Sequence, residues 1–314
     1  MVSNIEIFQS VEEYQHMFVG VDMDAIQLKR GNFINRHQVM VLPNLWVGYR
    51  NTQNAVSHHA CNEPDHYYLI IPFDAVELYV DGKLIIDNKL FFISPNEETF
   101  SWFPHYSETL TFCFNTTAMK QHFDADEIAK INIQARALRN GDLPLHKLNE
   151  FKRFVRHYFK KLSLKSGDMS PVEKQQFEFM FFNALRELFS DILCSNASMS
   201  VNTRRDTVSR AIEYIGEYSD QRALPITELA KASCCSIRTL EYAFKSMLGV
   251  LPKSYLTHRK VNEVRQTILS GSFDSLTGVF EHFNITHPGR FSAQYSQQFG
   301  ESPSVSLKRV TGNN

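Results

Sequence analysis

The sequence predicts an α+β protein with a strand-rich N-terminal domain, a helical middle segment and an all-α C-terminal domain. Three observations support this prediction. Short strand-like segments recur between residues 39 and 114, apolar residues then recur every three or four positions, and a helical pattern is duplicated near the C-terminus. The chain of 314 residues is long enough for about two domains. Its composition, 43% hydrophobic and 21% charged, excludes a largely disordered protein.

The strands of the N-terminal domain are predicted from segments rich in β-branched and aromatic residues. These segments are residues 45–49, 67–71, 76–80, 90–93 and 109–114. Asp81-Gly82, Asp87-Asn88 and Ser94-Pro95-Asn96 supply turns between them. Short strands at such regular spacing indicate a small barrel or a double-sheet roll.

Two helices are predicted after the strands, because the apolar period changes to that of a helix. The first carries the stripe Leu145, Leu148, Phe151, Val155, Tyr158 and Leu162. The second starts at Ser170-Pro171-Val172-Glu173, with Ser170 as N-cap and Pro171 at N1. These helices either pack on the sheet region or supply a dimer seam over about 145–195. The residues expected at the seam are Phe151, Val155, Tyr158 and Leu162.

The domain boundaries follow from a small, polar and unpatterned stretch after the second helix. We place the first domain at 1–195, the linker at 196–206 and the second domain at 207–314. Charge differs between the two parts, since the chain carries +4 from Arg204 onward and −5 before it. A basic C-terminal third is typical of proteins that bind a polyanion.

The C-terminal domain repeats itself at an offset of 50 to 51 residues. The first copy has Ile226, Leu229, Ala230, Leu240, Phe244, Gly249 and Pro252, and the second has Leu276, Val279, Phe280, Phe291, Tyr295, Gly300 and Pro303. Each copy predicts a short helix, a turn and a second helix. Between the copies, Lys253–Leu269 predicts a single helix of about 25 Å. A spacer of that length would set the two units about one turn of DNA apart.

The second helix of each copy is the candidate recognition helix for the DNA major groove. We predict Ser236 and Thr286 as N-caps, and we expect Cys234 and Asn284 in the turns. The residues expected to contact DNA are Ser236, Ile237, Arg238, Glu241, Tyr242, Lys245, Thr286, His287, Arg290 and Gln294.

Residues 226–256 (ITELAKASCCSIRTLEYAFKSMLGVLPKSYL) and 289–307 (GRFSAQYSQQFGESPSVSL) resemble the AraC/XylS family of transcription regulators. The resemblance covers about Thr207–Arg309 well and the N-terminal part loosely. It implies a bacterial, cytoplasmic activator that binds double-stranded DNA and RNA polymerase as a homodimer. It also implies an N-terminal cupin-like barrel that senses a small-molecule effector, followed by dimerisation helices.

The chain departs from the family pattern at several positions. Cys234 and Asn284 stand where the two turns usually have glycine, and Lys260-Val261 replaces the usual Arg-Leu of the linker helix. Phe280 stands where the family has a small alanine, and we expect its bulk to overpack the second unit. The second unit is therefore expected to supply less base specificity than the first.

Other residue groups point to no active site. The candidate effector-pocket residues are Trp46, Tyr49, His59, Tyr67 and Trp102. His58 and His59 are adjacent, so in a strand they point to opposite faces and do not form a metal site. No cofactor is expected. Five cysteines without a CxxC pair, no signal-peptide pattern and no membrane-length apolar run favour reduced thiols in the cytoplasm. The alternatives are a cupin-type enzyme with an accessory helical domain and an effector-independent interaction protein.

Overall fold

A computed structural model describes residues 5–73, 77–85, 90–138, 145–163, 169–189, 200–217 and 224–311. Its strands are β1 Glu6–Phe8, β2 Val21–Gln27, β3 Asn35–Val41, β4 Leu45–Thr52, β5 Val56–Asn62, β6 His66–Pro72, β7 Leu78–Val80, β8 Lys83–Ile85, β9 Phe91–Ile93, β10 Glu98–Phe103 and β11 Ser107–Asn115. Its helices are α1 Val11–Gln15, α2 Thr116–His122, α3 Ala125–Leu138, α4 Leu145–Ser163, α5 Pro171–Phe189, α6 Ser200–Glu217, α7 Ile226–Ala232, α8 Ile237–Leu248, α9 Pro252–Leu269, α10 Leu276–His282, α11 Pro288–Phe299 and α12 Pro303–Thr311.

Two antiparallel sheets make up the N-terminal domain. The larger sheet has the order β1-β3-β4-β11-β6-β9, and the smaller has the order β2-β5-β10-β7-β8. All five strand-like segments of the sequence overlap strands of these sheets, which confirms the α+β class. The turn at Asp81-Gly82 joins β7 to β8 with φ values of 47° and 75°. The predicted turn at Asp87-Asn88 lies outside the described residues.

The larger sheet has two buried faces because its side chains alternate. On β4, Leu45 and Val47 face the helices α2 to α5, whereas Trp46 belongs to the apolar cluster between the two sheets. That second cluster also holds Val56 and Phe103 of the smaller sheet. The sheets therefore pack face to face, with helices on the outer side of the larger one.

Helices α4 and α5 complete the core on the larger sheet. The N-terminus of α5 is a capping box, since Glu173 N donates to Ser170 Oγ at 3.3 Å and Ser170 N donates to Glu173 Oε2 at 3.0 Å. On α4, Phe151 and Val155 are only 3% and 2% exposed inside this core. The predicted dimer seam is therefore corrected at both positions, because the sheet and α5 already bury them.

The other two seam residues have different positions. The Tyr158 hydroxyl donates to Met180 Sδ at 3.1 Å, and its ring packs edge-on against Phe177 at 5.7 Å. Helix α5 of the same chain thus covers part of the Tyr158 side chain. Leu162 lies in α4, but its side chain falls outside the described residues.

The C-terminal domain consists of α6 to α12, and it packs on the outer face of the smaller sheet. Ile26 of β2 and Phe100 of β10 belong to the same buried cluster as Val208 of α6 and Phe244 of α8. Helix α6 begins at Ser200, inside the stretch predicted as a linker. Arg205, in the second turn of α6, pairs with Asp81 in the β7–β8 turn.

No helix in the described ranges is long and apolar enough to cross a membrane.

Candidate nucleic-acid interface

The two helix pairs of the C-terminal domain have the same turn. Cys234 and Asn284 both adopt the left-handed conformation, with φ of 54° and 47°. The next residue of each turn closes back on the short helix, since Cys235 N donates to Ala230 O at 3.0 Å and Ile285 N donates to Phe280 O at 2.8 Å. Asn tolerates this conformation better than most residues, whereas Cys is unusual there. The duplication predicted from sequence is therefore a duplication of backbone geometry.

The first recognition helix, α8, starts at a strong cap. Ser236 Oγ accepts a hydrogen bond from Thr239 N at 3.1 Å. Leu240 and Phe244 are fully buried, as their spacing predicts. The predicted DNA-contacting residues Ser236, Ile237, Arg238, Glu241, Tyr242 and Lys245 are all exposed. They thus lie together on the open side of one helix.

Lys245 has an additional role at the end of α8. Its ammonium donates to Gly249 O at 2.8 Å, so it caps the helix C-terminus. This contact draws Lys245 toward the sheet and away from the helix N-terminus, where Arg238 and Glu241 lie.

The second recognition helix, α11, starts one residue later than predicted. Its N-cap is His287, which makes no side-chain cap hydrogen bond, and Pro288 occupies N1. Thr286 is therefore not the cap; the ring of Pro288 instead fixes the backbone for helix entry. Thr286, His287 and Arg290 are exposed, whereas Gln294 is half-buried.

The C-terminal ends of both recognition helices are anchored to the N-terminal domain. In the first unit, Trp102 Nε1 donates to Ser246 O at 3.4 Å, and the Trp102 ring lies against Gly249. In the second unit, Gln27 Nε2 donates to Gln298 O at 2.8 Å, and Gln298 Nε2 donates back to Gln27 O. Both helices therefore keep their N-terminal halves open, which is the half that reads base edges in helix-turn-helix proteins.

Arg204, which lies beside α8, is not among the residues that the sequence predicts to contact DNA. Its guanidinium lies 5.5 Å from the centre of the Tyr242 ring, and its Nη1 donates to Ser246 Oγ at 3.0 Å. Arg204 therefore adds a cation beside α8 and holds Tyr242 in place. The Arg204-Arg205 pair at the start of the basic third was the available signal, but it fell within the predicted linker.

Phe280 does not overpack the second unit. Its side chain is half-buried, and its ring meets Phe291 edge-on with the centres 5.8 Å apart. The equivalent residue of the first unit, Ala230, is 3% exposed. The extra bulk of Phe280 therefore extends to the margin of the core, where it needs no shrinkage of its neighbours.

Helix α9 joins the two units and carries a buried ion network. Arg265 is 4% exposed; its Nη1 lies 2.9 Å from Glu301 Oε1, and its Nε lies 3.6 Å from Glu12 Oε2. Burial raises the pKa of Glu12. Burial also acts to raise the pKa of Glu301, but the hydrogen bond with Ser306 and the charge of Arg265 bring it below its usual value. The network ties α1, α9 and the connection between α11 and α12 together.

The five candidate effector-pocket residues lie on three different surfaces. Trp46 lies between the sheets, while Tyr49 and Tyr67 face the helices α2 to α5. His59 pairs with Glu98, and Trp102 stacks on Tyr79, both on the side of the smaller sheet that meets the C-terminal domain. The fold therefore does not bring the five together around one cavity.

One group of potential metal-binding side chains is found within the described residues. Glu63, Asp65 and His66 lie close together, with His66 Nδ1 2.8 Å from Asp65 Oδ1. Glu63 and Asp65 are exposed in the β5–β6 connection, and His66, the first residue of β6, is half-buried. His58 Nε2 is 2.9 Å from Tyr14 OH between the sheets, and His59 lies on the opposite face, as predicted for adjacent strand residues.

These features define a double helix-turn-helix domain attached to a sheet domain. Residues 229–309 match a family of proteins described as "Helix-turn-helix domain". The XylDLEGF operon transcriptional activator of Pseudomonas putida is 29% identical over 122 residues, which cover 38% of this chain and 38% of that protein. The XylDLEGF operon transcriptional activator 2 of the same organism is 31% identical over 100 residues, covering 31% of this chain and 63% of that protein.

Among solved structures, the AraC-like transcriptional activator CuxR aligns with a TM-score of 0.46 at 13% identity, covering 83% of this chain and 94% of that one. The chain spans about two fifths of the length of the XylDLEGF operon transcriptional activator and less than two thirds of the length of activator 2. The C-terminal domain of this chain is thus similar to helix-turn-helix domains, and the chain has partial similarity to transcriptional activators.

Proposed function

We propose that this protein is a sequence-specific DNA-binding transcription activator. The observation that carries the proposal is the pair of identical turns, each presenting the exposed N-terminal half of a helix while its C-terminal end is fixed. The named relatives are transcriptional activators, and residues 229–309 of this chain match the helix-turn-helix family. The same resemblance suggests RNA polymerase as a partner and the bacterial cytoplasm as the place of action.

The two recognition helices are proposed to enter successive major grooves on one side of the duplex. Helix α9, which joins the units, has 18 residues and is therefore about 27 Å long. With the widths of the flanking helices, this length suits the ~34 Å between successive turns of the major groove. Because the smaller sheet holds both helices, their spacing is set before DNA binds.

Base reading is assigned to residues whose side chains are exposed and unpaired within the described structure. Arg238 can donate to guanine, and Glu241 can accept from cytosine, one helical turn apart on α8. On α11, the exposed Arg290 is instead proposed to contact a phosphate. The remaining exposed polar residues at the helix starts, Ser236 and His287 among them, suit contacts with phosphates.

The test is DNA binding by the full chain at several salt concentrations. Selection from a random DNA pool supplies the site, and fluorescence anisotropy measures Kd between 50 and 200 mM salt, where contacts with about six phosphates predict a loss of roughly 10³-fold. Arg238→Ala should weaken specific binding, whereas Arg36→Ala, an exposed arginine on β3, should not. No selected sequence, or a flat salt profile, would contradict the proposal.

The N-terminal domain is proposed as a cupin-like barrel that senses a small molecule. The support is its architecture, in which two antiparallel sheets enclose a common apolar cluster with room for a cavity. The contacts of the smaller sheet with α8 and α11 would transmit ligand binding to the DNA-binding units.

A homodimer is also proposed, with its seam on the outer side of α5 rather than at Phe151 and Val155. Phe179 and Met180 are 59% and 37% exposed on that helix. Phe179→Glu should convert a dimer to a monomer in analytical ultracentrifugation while leaving the unfolding transition in place. Phe151→Glu should instead unfold the N-terminal domain, because it places a charge in the core. A Phe179→Glu variant that stays dimeric would place the seam elsewhere.

A further inference from the structure

The core between the two sheets contains a buried arginine without a carboxylate partner. Arg50 of β4 is 5% exposed, and no described carboxylate lies within ion-pair distance of its guanidinium. Its Nε donates to Thr109 Oγ1 at 3.0 Å, and its Nη1 donates to the Tyr14 hydroxyl. Nη2 has no hydrogen-bond acceptor within the described part of the chain. Buried charges in proteins are normally paired, so this one requires an explanation.

Three aromatic rings offset part of the cost of burying this charge. The guanidinium carbon lies 5.5 Å from the ring centre of Tyr14, 5.4 Å from that of Phe18 and 5.6 Å from that of Phe103. Such contacts stabilise a cation electrostatically but offer no lone pair in the plane of the guanidinium. The rings therefore keep Arg50 in the core and leave its hydrogen-bonding capacity unfilled.

Arg50 lines a cavity of about 50 Å³ between the sheets. The apolar part of its wall includes Ile70, Val80, Phe91 and Ile93. None of the described residues lining the cavity is Asp or Glu. Thr111, also on the wall, has a buried hydroxyl oxygen without a hydrogen-bond partner in the described structure.

The histidines near Arg50 supply no negative charge. His58, on the cavity wall, is 4% exposed and has its pKa well below the usual value because of burial and the charge of Arg50. His37 has its pKa lowered to about 4 by the same two causes. Both rings are neutral near pH 7, so the only formal charge on the cavity wall is that of Arg50.

We propose that this cavity binds a short-chain monocarboxylate, with its carboxylate on Arg50 and its alkyl group on the apolar wall. Arginine donors match the two oxygens of a carboxylate, and an anion would neutralise the buried charge. The small volume of the cavity favours a short alkyl group. This inference rests on the proposed function, in which the N-terminal domain senses a small molecule, and it gives the chemical class of that molecule.

The experiment is calorimetric titration of the full chain with propionate, propionamide and propylammonium at constant ionic strength. Propionamide has nearly the same shape without the charge, and propylammonium has the opposite charge. We expect saturable binding of propionate alone. Equal heats from propionate and propionamide, or no saturation with propionate, would overturn the proposal.

Variants locate the site. Arg50→Met should weaken propionate binding roughly 10- to 100-fold, through the loss of a charge-assisted hydrogen bond, and Arg50→Lys should retain part of the affinity. Thr111→Val, which keeps the shape of the wall, should weaken binding by about 3- to 10-fold. Arg36→Met is the matched control, because Arg36 is exposed on the neighbouring strand. If Arg50→Met fails to fold, Thr111→Val and the comparison of propionate with propionamide still decide whether the cavity binds the carboxylate.

The two proposals fail separately. A chain that binds DNA with steep salt dependence but ignores propionate would refute the ligand and leave the transcription activator in place. A chain that binds propionate through Arg50 but selects no DNA sequence would refute the transcription activator and leave the ligand in place. If both hold, propionate should change the affinity for DNA at least several-fold in the wild-type chain and leave the affinity of Arg50→Met unchanged.

Discussion

The two helix-turn-helix units have the same turn but are attached to the N-terminal domain by different chemistry. The first unit shares an apolar core with the smaller sheet, in which Ile26 and Phe100 pack with Phe244. The second unit is attached through polar groups, the Gln27–Gln298 amide pair and the ion pairs of Arg265. Sequence duplication has thus preserved the local geometry and left the surroundings of each unit to diverge.

The difference also shows in the cores. The core of the first unit includes buried residues of α6 and of the smaller sheet. The core of the second unit is completed by aromatic residues of the C-terminal domain, of which Phe273, Phe280 and Phe283 are only partly buried. Apolar contacts contain no charge that can be screened or titrated, while buried ion pairs depend on each partner being present. The first unit should therefore respond most to loss of volume and the second to loss of charge.

The largest change in the free energy of unfolding is expected from Phe244→Ala in the first unit. Phe244 is fully buried and packs edge-on against Tyr255 at 5.4 Å. Truncation should lower the free energy of unfolding by about 3–5 kcal/mol, through lost burial and the cavity left behind. Urea denaturation measures this, with Ile237→Ala on the exposed side of α8 as control. A loss below about 1 kcal/mol would show that this core is not shared as described.

Arg265→Met tests the charge dependence of the second unit. It leaves the buried Glu12 without its cation, while Glu301 keeps its ion pair with Arg309, and breaking a buried ion pair typically costs about 3–5 kcal/mol. The double variant Arg265→Met with Glu12→Gln should be more stable than the single one, because one unpaired carboxylate is removed. Urea denaturation of the wild type, the two single variants Arg265→Met and Glu12→Gln, and the double variant completes a double-mutant cycle. Additive effects would mean that Glu12 and Arg265 do not interact.

The two C-terminal cap glycines allow a matched comparison. Gly249 and Gly300 both have φ of 76°, so alanine at either position costs about 1–2 kcal/mol for the left-handed conformation alone. A Cβ at Gly249 would also lie 2.6 Å from the Trp102 ring, whereas at Gly300 it meets the end of the exposed Asn32 side chain. Gly249→Ala should therefore destabilise the chain by about 1 kcal/mol more than Gly300→Ala. Equal thermal unfolding shifts would contradict a rigid contact at Trp102.

The smallest effect is expected in base preference. Arg238→Ala should relax selection at one or two base positions, since a good base contact discriminates by about 1–3 kcal/mol. Arg290→Ala should weaken all sites similarly, through the loss of a phosphate contact. Sequencing of DNA selected by each variant gives the result directly. A lost base preference with Arg290→Ala and an unchanged motif with Arg238→Ala would reverse the roles of the two helices.

The comparison also shows which sequence signals were reliable. The repeat, the two turns and the α9 spacer were predicted because each depends on residues close in the chain: apolar spacing, a left-handed residue and a helical run. The capping box at Ser170 and the hairpin at Asp81-Gly82 were predicted for the same reason. Short-range hydrogen bonds and backbone preferences depend on residues that are close together in the sequence.

Tertiary structure decided what each surface faces. The stripe on α4 indicated an apolar face, but only the fold shows that Phe151 and Val155 are buried within the chain itself. Trp102 and His59 were expected in a pocket and instead face the C-terminal domain, because strand alternation gives two faces without saying which lies inside. The enclosure of Arg50 between two sheets, with no described carboxylate within ion-pair distance, depends on strands distant in sequence. Sequence determined the elements and their duplication, and packing between distant segments determined which charges and faces are left for ligands.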